Sequence, residues 1–173
     1  GVEPASPAWN TVSIRPQVGT VAEVFSKPKS AIARELILPH TDASPDGRSS
    51  LDKLTKSAKK KGIEAIAVTD HNAFSRCPES MNGVLIIPGI ELSTKQGHIT
   101  GLFLEDDPEI KKELPDGSEA VAEIRRRGGI AVLAHPFQKG KCELPEADAV
   151  ETANSRAAMK IKEANKFAKL PQN

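Results

Sequence analysis

The sequence is poor in aromatic residues. They make up 3% of its 173 residues, and tyrosine is absent. A surface that reads bases by stacking them on aromatic rings is therefore not expected. Cysteine occurs twice, at Cys77 and Cys142, too far apart for the paired spacing of a zinc finger. Two reduced thiols in a cytoplasmic protein is the plain reading. Neither sign of charge is in excess, with 24 Lys and Arg against 23 Asp and Glu. No global attraction to nucleic acid or to an anionic membrane follows. No apolar run approaches the roughly 20 residues that span a bilayer. The first ten residues lack the charged-then-apolar order of a signal peptide, and no initiating Met begins the chain. Phosphate-cradling G-x-x-x-x-G-K-[ST], dinucleotide-binding G-x-G-x-x-G and the serine elbow G-x-S-x-G are all missing.

What the chain does have is a recurring pattern. Ala65 to Val68 is a short apolar run that stops in Thr69-Asp70-His71-Asn72. Val84 to Ile90 stops in Glu91, Ile130 to Ala134 in His135, and Leu36 to Pro39 in His40. Each reads as a buried strand that delivers a polar group at its end. A further strand is expected over residues 97–104, with His98 near its start, and a short one over 147–151. Helices are expected after Ser49 or Ser50, with Leu51, Leu54 and Ala58 on one face and Gly62 as the stop, and after Ser118, ending at Gly128-Gly129. A last helix is expected from Asn154 or Ser155, carrying Ile161, Ala164 and Ala168. Lys53, Lys56, Lys59, Lys60 and Lys61 fall mostly on the outer face of the first helix, as a solvated face does. Strands alternating with helices argue for a parallel α/β fold with its site at the strand ends. Residues 1–33 are rich in Pro and Ser and weakly patterned, with one short helix expected between Val18 and Phe25; they read as an N-terminal extension.

All four histidines, His40, His71, His98 and His135, fall at or beside strand ends. One such histidine would more often be a structural hydrogen-bonder. Four of four point to metal, since imidazole is the commonest protein metal ligand, and Glu91 and Asp46 offer carboxylates to complete the set. With the nucleotide-binding and serine motifs absent, metal-assisted hydrolysis is the favoured chemistry.

Six stretches in order carry a resemblance: His40 to Gly47, Thr69-Asp70-His71-Asn72, Pro88-Gly89-Ile90-Glu91, Gly97-His98, Ala134-His135-Pro136, and Glu151 to Arg156. Together they resemble the motifs of the PHP-domain (polymerase and histidinol phosphatase) metal-dependent phosphoesterases, the stand-alone type most of all. The resemblance runs from about Arg34 to the C-terminus. It implies a distorted seven-stranded β/α barrel with one to three divalent ions, Zn, Mn or Fe. It implies that Glu91, His98 and His135 form the catalytic metal position, with Glu91 bridging to a second. His40 would serve that second metal, and Asp46 and His71 a third. Arg156 and Asn154 would hold the phosphate, and Asp70 would orient a ligand or cap a turn. The implied activity is hydrolysis of a small phosphomonoester, a nucleotide or an oligonucleotide end; binding to nucleic acid and oligomerisation stay open.

Two departures qualify the resemblance. The family opens with H-x-H, and here Leu38 stands where the first histidine would be. The family closes with D-x-H on a last strand, and no Asp-x-His follows Glu151. A PHP-like domain over residues 34–173 would thus lack its last strand. A truncated enzyme, a natural variant with fewer metals and a non-catalytic metal-binding relative are all compatible with this. An unclosed barrel would leave a sheet edge that residues 1–33 or a second chain could cover.

Overall fold

A computed structural model of the chain describes residues 10–14, 38–45, 47–108, 115–136 and 147–154, the backbone alone for 10–14 and 152–154. Seven strands and two helices occur among them. They are β1 (Asn10–Ile14), α1 (Leu51–Lys60), β2 (Ala65–Val68), β3 (Ser80–Met81), β4 (Val84–Thr94), β5 (Gly97–Leu102), α2 (Gly117–Arg126), β6 (Ile130–Leu133) and β7 (Ala149–Asn154). One sheet runs in the order β1-β7-β6-β5-β4-β2, with β3 paired to β4.

The sheet is mixed, which corrects the expectation of a parallel one. Parallel pairing holds for β2 with β4 and for β6 with β7. Strands β4 and β5 are antiparallel, as are β5 and β6. The β4–β5 connection forces the first of these. Thr94 pairs with Gly97, leaving Lys95 and Gln96 as the whole loop. Two residues make a hairpin, whereas a parallel crossover needs a dozen or more. The described sheet is open, with β2 and β1 at its ends, so a closed seven-stranded barrel is not formed by the described residues.

The strands alternate faces with period two, and the packing follows. Ile66 and Val68 of β2 meet Leu54 and Ala58 of α1, and Val84 and Ile86 of β4 join them. Ala131 and Leu133 of β6 and Ile99 of β5 meet Val121 and Ile124 of α2. The opposite face carries no helix among the described residues. There Leu38, Ala67, Ile87, Leu102, Val132 and Ala149 form a second apolar cluster. Burying each large side chain of this kind is worth roughly 1.5–3 kcal/mol. By alternation, Glu91, two pairs beyond Ile87, and His98, two pairs before Leu102, stand on this helix-free face, above an apolar floor.

Both helices stop where a glycine enters the left-handed region, at Gly62 (φ 74°) and Gly128 (φ 72°). At the start of α2 the cap is Asp116, whose carboxylate accepts the Ser118 N–H at 3.3 Å, in place of the expected Ser118 cap. All five lysines between Lys53 and Lys61 are exposed. No described helix is long and apolar enough to cross a membrane.

Strand β3 was not expected, while β1 lies on the sheet edge for which residues 1–33 or a second chain were the expected cover. Strand β3 turns back onto β4 through Asn82 (φ 54°) and Gly83 (φ 77°), the Asn-Gly signature of a tight hairpin. Strand β1, from the N-terminal segment, runs antiparallel along β7, from Asn10 opposite Asn154 to Ile14 opposite Ala149. At the other end, the expected first strand is described only from Leu38. That piece lies against the end of β2, where Thr69 N–H donates to Pro39 O at 3.3 Å. The helix expected between Val18 and Phe25 and residues 137–146 lie outside the described residues, as does the last helix apart from Asn154, which closes β7 instead of opening that helix.

Candidate metal centre

The site is assembled where β2, β4, β5 and β6 meet. Pairing of β2 with β4 extends upward by one bridge, His71 to Glu91. Glu91 N–H donates to Asp70 O at 3.0 Å, and Asn72 N–H to Glu91 O at 2.9 Å. This register sets His71 beside Glu91. Asn72 then turns into the left-handed region (φ 50°) and is locked to Ser93 by reciprocal bonds of 2.8 and 3.1 Å. Because β5 is antiparallel, it delivers His98 from its start, not its end. His135 follows β6 directly, as expected.

Glu91 is the centre of the group. It is 3% exposed, and four imidazoles surround its carboxylate. His98 Nδ1 lies 2.8 Å from Oε1, His135 Nε2 3.2 Å from the same oxygen, and His98 Nδ1 3.1 Å from His135 Nε2. His71 Nδ1 and His40 Nε2 stand off at 3.8 and 3.7 Å. The rings form an arc: His40 stacks on His71 with centroids 4.6 Å apart, and His71–His98 and His98–His135 meet edge to face at 4.9 and 4.8 Å.

Three lone-pair atoms at about 3 Å from one another repel unless a cation sits among them. The protein without metal must use protons. Burial disfavours an ionised Glu91, yet hydrogen bonds from His135 and His98 and the nearby His40 and His71 outweigh it and hold the carboxyl well below the usual range. Burial opposes a charged His135, and the hydrogen bond and charge of Glu91 overcome that and raise it. A divalent ion fits the same place. Nitrogen and oxygen ligands at about 2.0–2.2 Å from a metal put neighbouring donors about 3 Å apart, as in the Glu91, His98, His135 triangle. Glu91, His40 and His71 form a second group of potential ligands whose donor atoms lie within 4.8 Å of one another. Glu91 belongs to both groups. This grouping places His71 with His40; Asp46, which the resemblance assigns with His71, lies outside the described residues.

The surrounding bonds prepare the ligands. Thr69 O lies 2.6 Å from His40 Nδ1. A carbonyl only accepts, so Nδ1 carries a proton, and in the neutral ring the nitrogen left free to ligate is Nε2, which faces Glu91. Asp70 is fully buried, and its carboxylate bonds to Thr41 and Ser75. Its carboxylate accepts Thr41 N–H at 2.6 Å, Thr41 Oγ1 at 2.7 Å and Ser75 Oγ at 3.1 Å, and so fastens the residue after His40 to the end of β2. Ser44 Oγ accepts His71 N–H at 3.3 Å. Leu38 is 2% exposed and packs in the apolar floor.

A profile of the PHP domain matches residues 39–134. The chain belongs to the PHP domain family. Two proteins of Methanocaldococcus jannaschii are similar to it. The uncharacterized protein MJ1587 is 39% identical over 98 residues, 54% of this chain and 56% of that protein. The uncharacterized protein MJ0417 is 38% identical over 84 residues, 49% of this chain and 31% of that protein. The chain thus spans about half the length or less of these curated relatives. Among solved structures, it is similar to a two-domain protein from Bacteroides vulgatus described as containing a predicted PHP-like metal-dependent phosphoesterase. The TM-score is 0.48 at 22% identity, covering 63% of this chain and 38% of that one.

The PHP match takes in four of the described metal-ligand candidates, His40, His71, Glu91 and His98, and ends one residue before His135. Asp46 and Arg156 lie outside the described residues, and of Asn154 only the backbone, in β7, is described. Thr41, Ser44 and Glu151 went unnoticed as supports in the sequence. The only local hint was their place in or beside the stretches that carry the PHP resemblance, since their partners are 16 to 29 residues away.

Proposed function

We propose that this chain is a metal-dependent phosphoesterase that hydrolyses a small phosphomonoester, a nucleotide or the end of an oligonucleotide with activated water. The observation that carries the reading is the convergence of Glu91 Oε1, His98 Nδ1 and His135 Nε2 within 3.2 Å of one another, with His40 and His71 also facing the same carboxylate. In this reading Glu91, His98 and His135 would hold the catalytic ion, and His40 and His71 with Glu91 would hold a second. Zn, Mn and Fe all suit such a nitrogen and oxygen donor set. Bound divalent ions bring the pKa of water near 7 and offset charge that builds on phosphate oxygens.

The protein's own groups do the rest. Glu91 stays ionised across the physiological range, because four imidazoles face it. Thr69 O keeps His40 in the tautomer whose Nε2 is free. Asp70 fixes the chain next to His40 through Thr41. Arg156 and Asn154 hold the phosphate by charge-assisted and neutral hydrogen bonds, and Asp46 adds a carboxylate. The free thiol of Cys77 fits a reducing, cytoplasmic setting.

A second reading has its own support. Leu38 occupies the floor of the site as a core residue, so one nitrogen ligand of the PHP pattern is replaced by packing. A metal-binding module without turnover would look the same. Phosphate release from a panel of phosphomonoesters, nucleotides and short oligonucleotides, with Mn²⁺ or Zn²⁺ added, separates the two. Release that is abolished by chelator and by His98→Ala supports the phosphoesterase. Metal binding without release from any substrate supports the module. Neither binding nor release ends both.

A further inference from the structure

Building on the metal-centre reading, we propose that Glu151 is a positioning residue, which holds the backbone of His135 so that its ring reaches Glu91 and His98. Glu151 lies in β7 and is 1% exposed. Its Oε2 accepts the backbone N–H of His135 at 2.6 Å. The register explains the meeting: Leu133 pairs with Val150 in the parallel β6–β7 ladder, so the residues just beyond β6 come level with Glu151. By alternation Glu151 shares the helix-free face with Ala149 of the apolar floor.

The bond falls where the chain needs it. His135 has φ 27°, a left-handed backbone that a non-glycine residue adopts at a cost. Strand β6 ends at Leu133, and Ala134 N–H still donates to His98 O at 3.1 Å. One residue later the ladder stops, and the part-buried His135 N–H takes its partner from Glu151. The Glu151 carboxyl oxygen accepts it there at 2.6 Å. The turn thus fixed sends His135 Nε2 back to 3.1 Å from His98 Nδ1 and 3.2 Å from Glu91 Oε1. A buried carboxylate is costly to keep; here it secures the one ligand of the triangle that stands on a strained backbone.

The test compares wild type, Glu151→Gln and Glu151→Leu. Gln keeps an acceptor oxygen at the same reach; Leu keeps the bulk and removes it. Far-UV circular dichroism and melting temperature report the fold. In metal-free protein, ¹⁵N-edited spectra report the His135 amide, and ring-to-ring nuclear Overhauser effects report the His98–His135 contact. Titration calorimetry with Zn²⁺ reports affinity. Wild type and Glu151→Gln are expected to share the downfield His135 amide and the ring contact, with Zn²⁺ affinities within threefold. Glu151→Leu is expected to lose both signals and to bind Zn²⁺ roughly 10- to 100-fold more weakly. Glu151→Leu with wild-type affinity and ring contact overturns the proposal. So does Glu151→Gln as weak as Glu151→Leu, which would make the charge, not the bond, the operative feature. If Glu151→Leu fails to fold, Glu151→Gln decides: affinity unchanged after loss of the amide signal overturns the proposal, and affinity retained together with that signal supports it. Turnover enters none of these readouts, and the amide and ring signals are read without metal. Failure of the phosphoesterase reading therefore leaves this result standing on its own.

Discussion

Replacing Glu91 by Gln removes one charge and little volume from the point on which four imidazoles converge. Its carboxylate lies 2.8 Å from His98, 3.2 Å from His135, 3.7 Å from His40 and 3.8 Å from His71, and it belongs to both potential metal groups. Loss of a partner that only orients a ligand weakens metal binding roughly 10- to 100-fold, or about 1.4–2.7 kcal/mol. Loss of the shared ligand itself should exceed that. Calorimetric titration with Zn²⁺ and Mn²⁺ is expected to show Glu91→Gln binding more than about 100-fold more weakly, with fewer ions per chain. The metal-free protein offers a second reading of the same change. The carboxyl of Glu91 is lowered, so its contribution to stability is present above its unfolded value and is lost only in strong acid. His135 is raised, so its contribution is complete below its unfolded value of about 6.5 and is lost as pH rises through the higher folded value. Metal-free wild type should therefore lose stability as pH climbs above about 6.5, and Glu91→Gln should flatten that slope, because His135 loses the partner that raises it. Unchanged metal affinity together with an unchanged pH slope would refute this reasoning.

Three further substitutions probe the supports of the site. A Cβ on Gly89 would meet Gly101 O at 2.6 Å and Val68 O at 3.1 Å, so Gly89→Ala must push β4 from its neighbours, two residues from Glu91. About 1–3 kcal/mol of destabilisation is expected, a melting temperature lower by roughly 2–4 °C per kcal/mol, and weaker metal binding. Asp70→Ala strands the buried Thr41 N–H and hydroxyl. Loss of about 1–3 kcal/mol in denaturant unfolding is expected, and an unchanged midpoint would show that the clamp holds nothing. Leu54→Ala opens a cavity between α1 and the sheet on the face away from the site. It should cost about 2–5 kcal/mol while the folded variant binds metal as wild type does.

Much of this centre could be read in the sequence, because strand ends deliver it. Ile66 to Val68 and Ile130 to Leu133 are short, wholly buried runs, and such runs announce themselves by composition alone. Each is followed within three residues by a histidine that reaches Glu91. The direction of the strands was less legible. Alternation of strands and helices suggested parallel pairing, yet Lys95-Gln96 is too short a link for anything but a hairpin, and Asn82-Gly83 encodes another. Both signals were local and outweighed by the global pattern. Other features depend on register, which no local stretch specifies. That His71 stacks on His40 follows from the His71–Glu91 bridge and from Thr69 meeting the chain at residues 39–40. That Glu151 meets His135 follows from pairing of β6 with β7. Strand β1 is a short stretch in a weakly patterned segment; its Thr11, Val12 and Ile14 suit a strand, but its partner in β7 lies some 140 residues on, so the pairing could not be read locally.

Crystals of the protein grown with Zn²⁺ or Mn²⁺ and measured at the absorption edge of that metal test the central claim most directly. An anomalous peak bounded by Glu91 Oε1, His98 Nδ1 and His135 Nε2 is the predicted result. A map with no peak there, or with the metal bound only elsewhere on the chain, would contradict it.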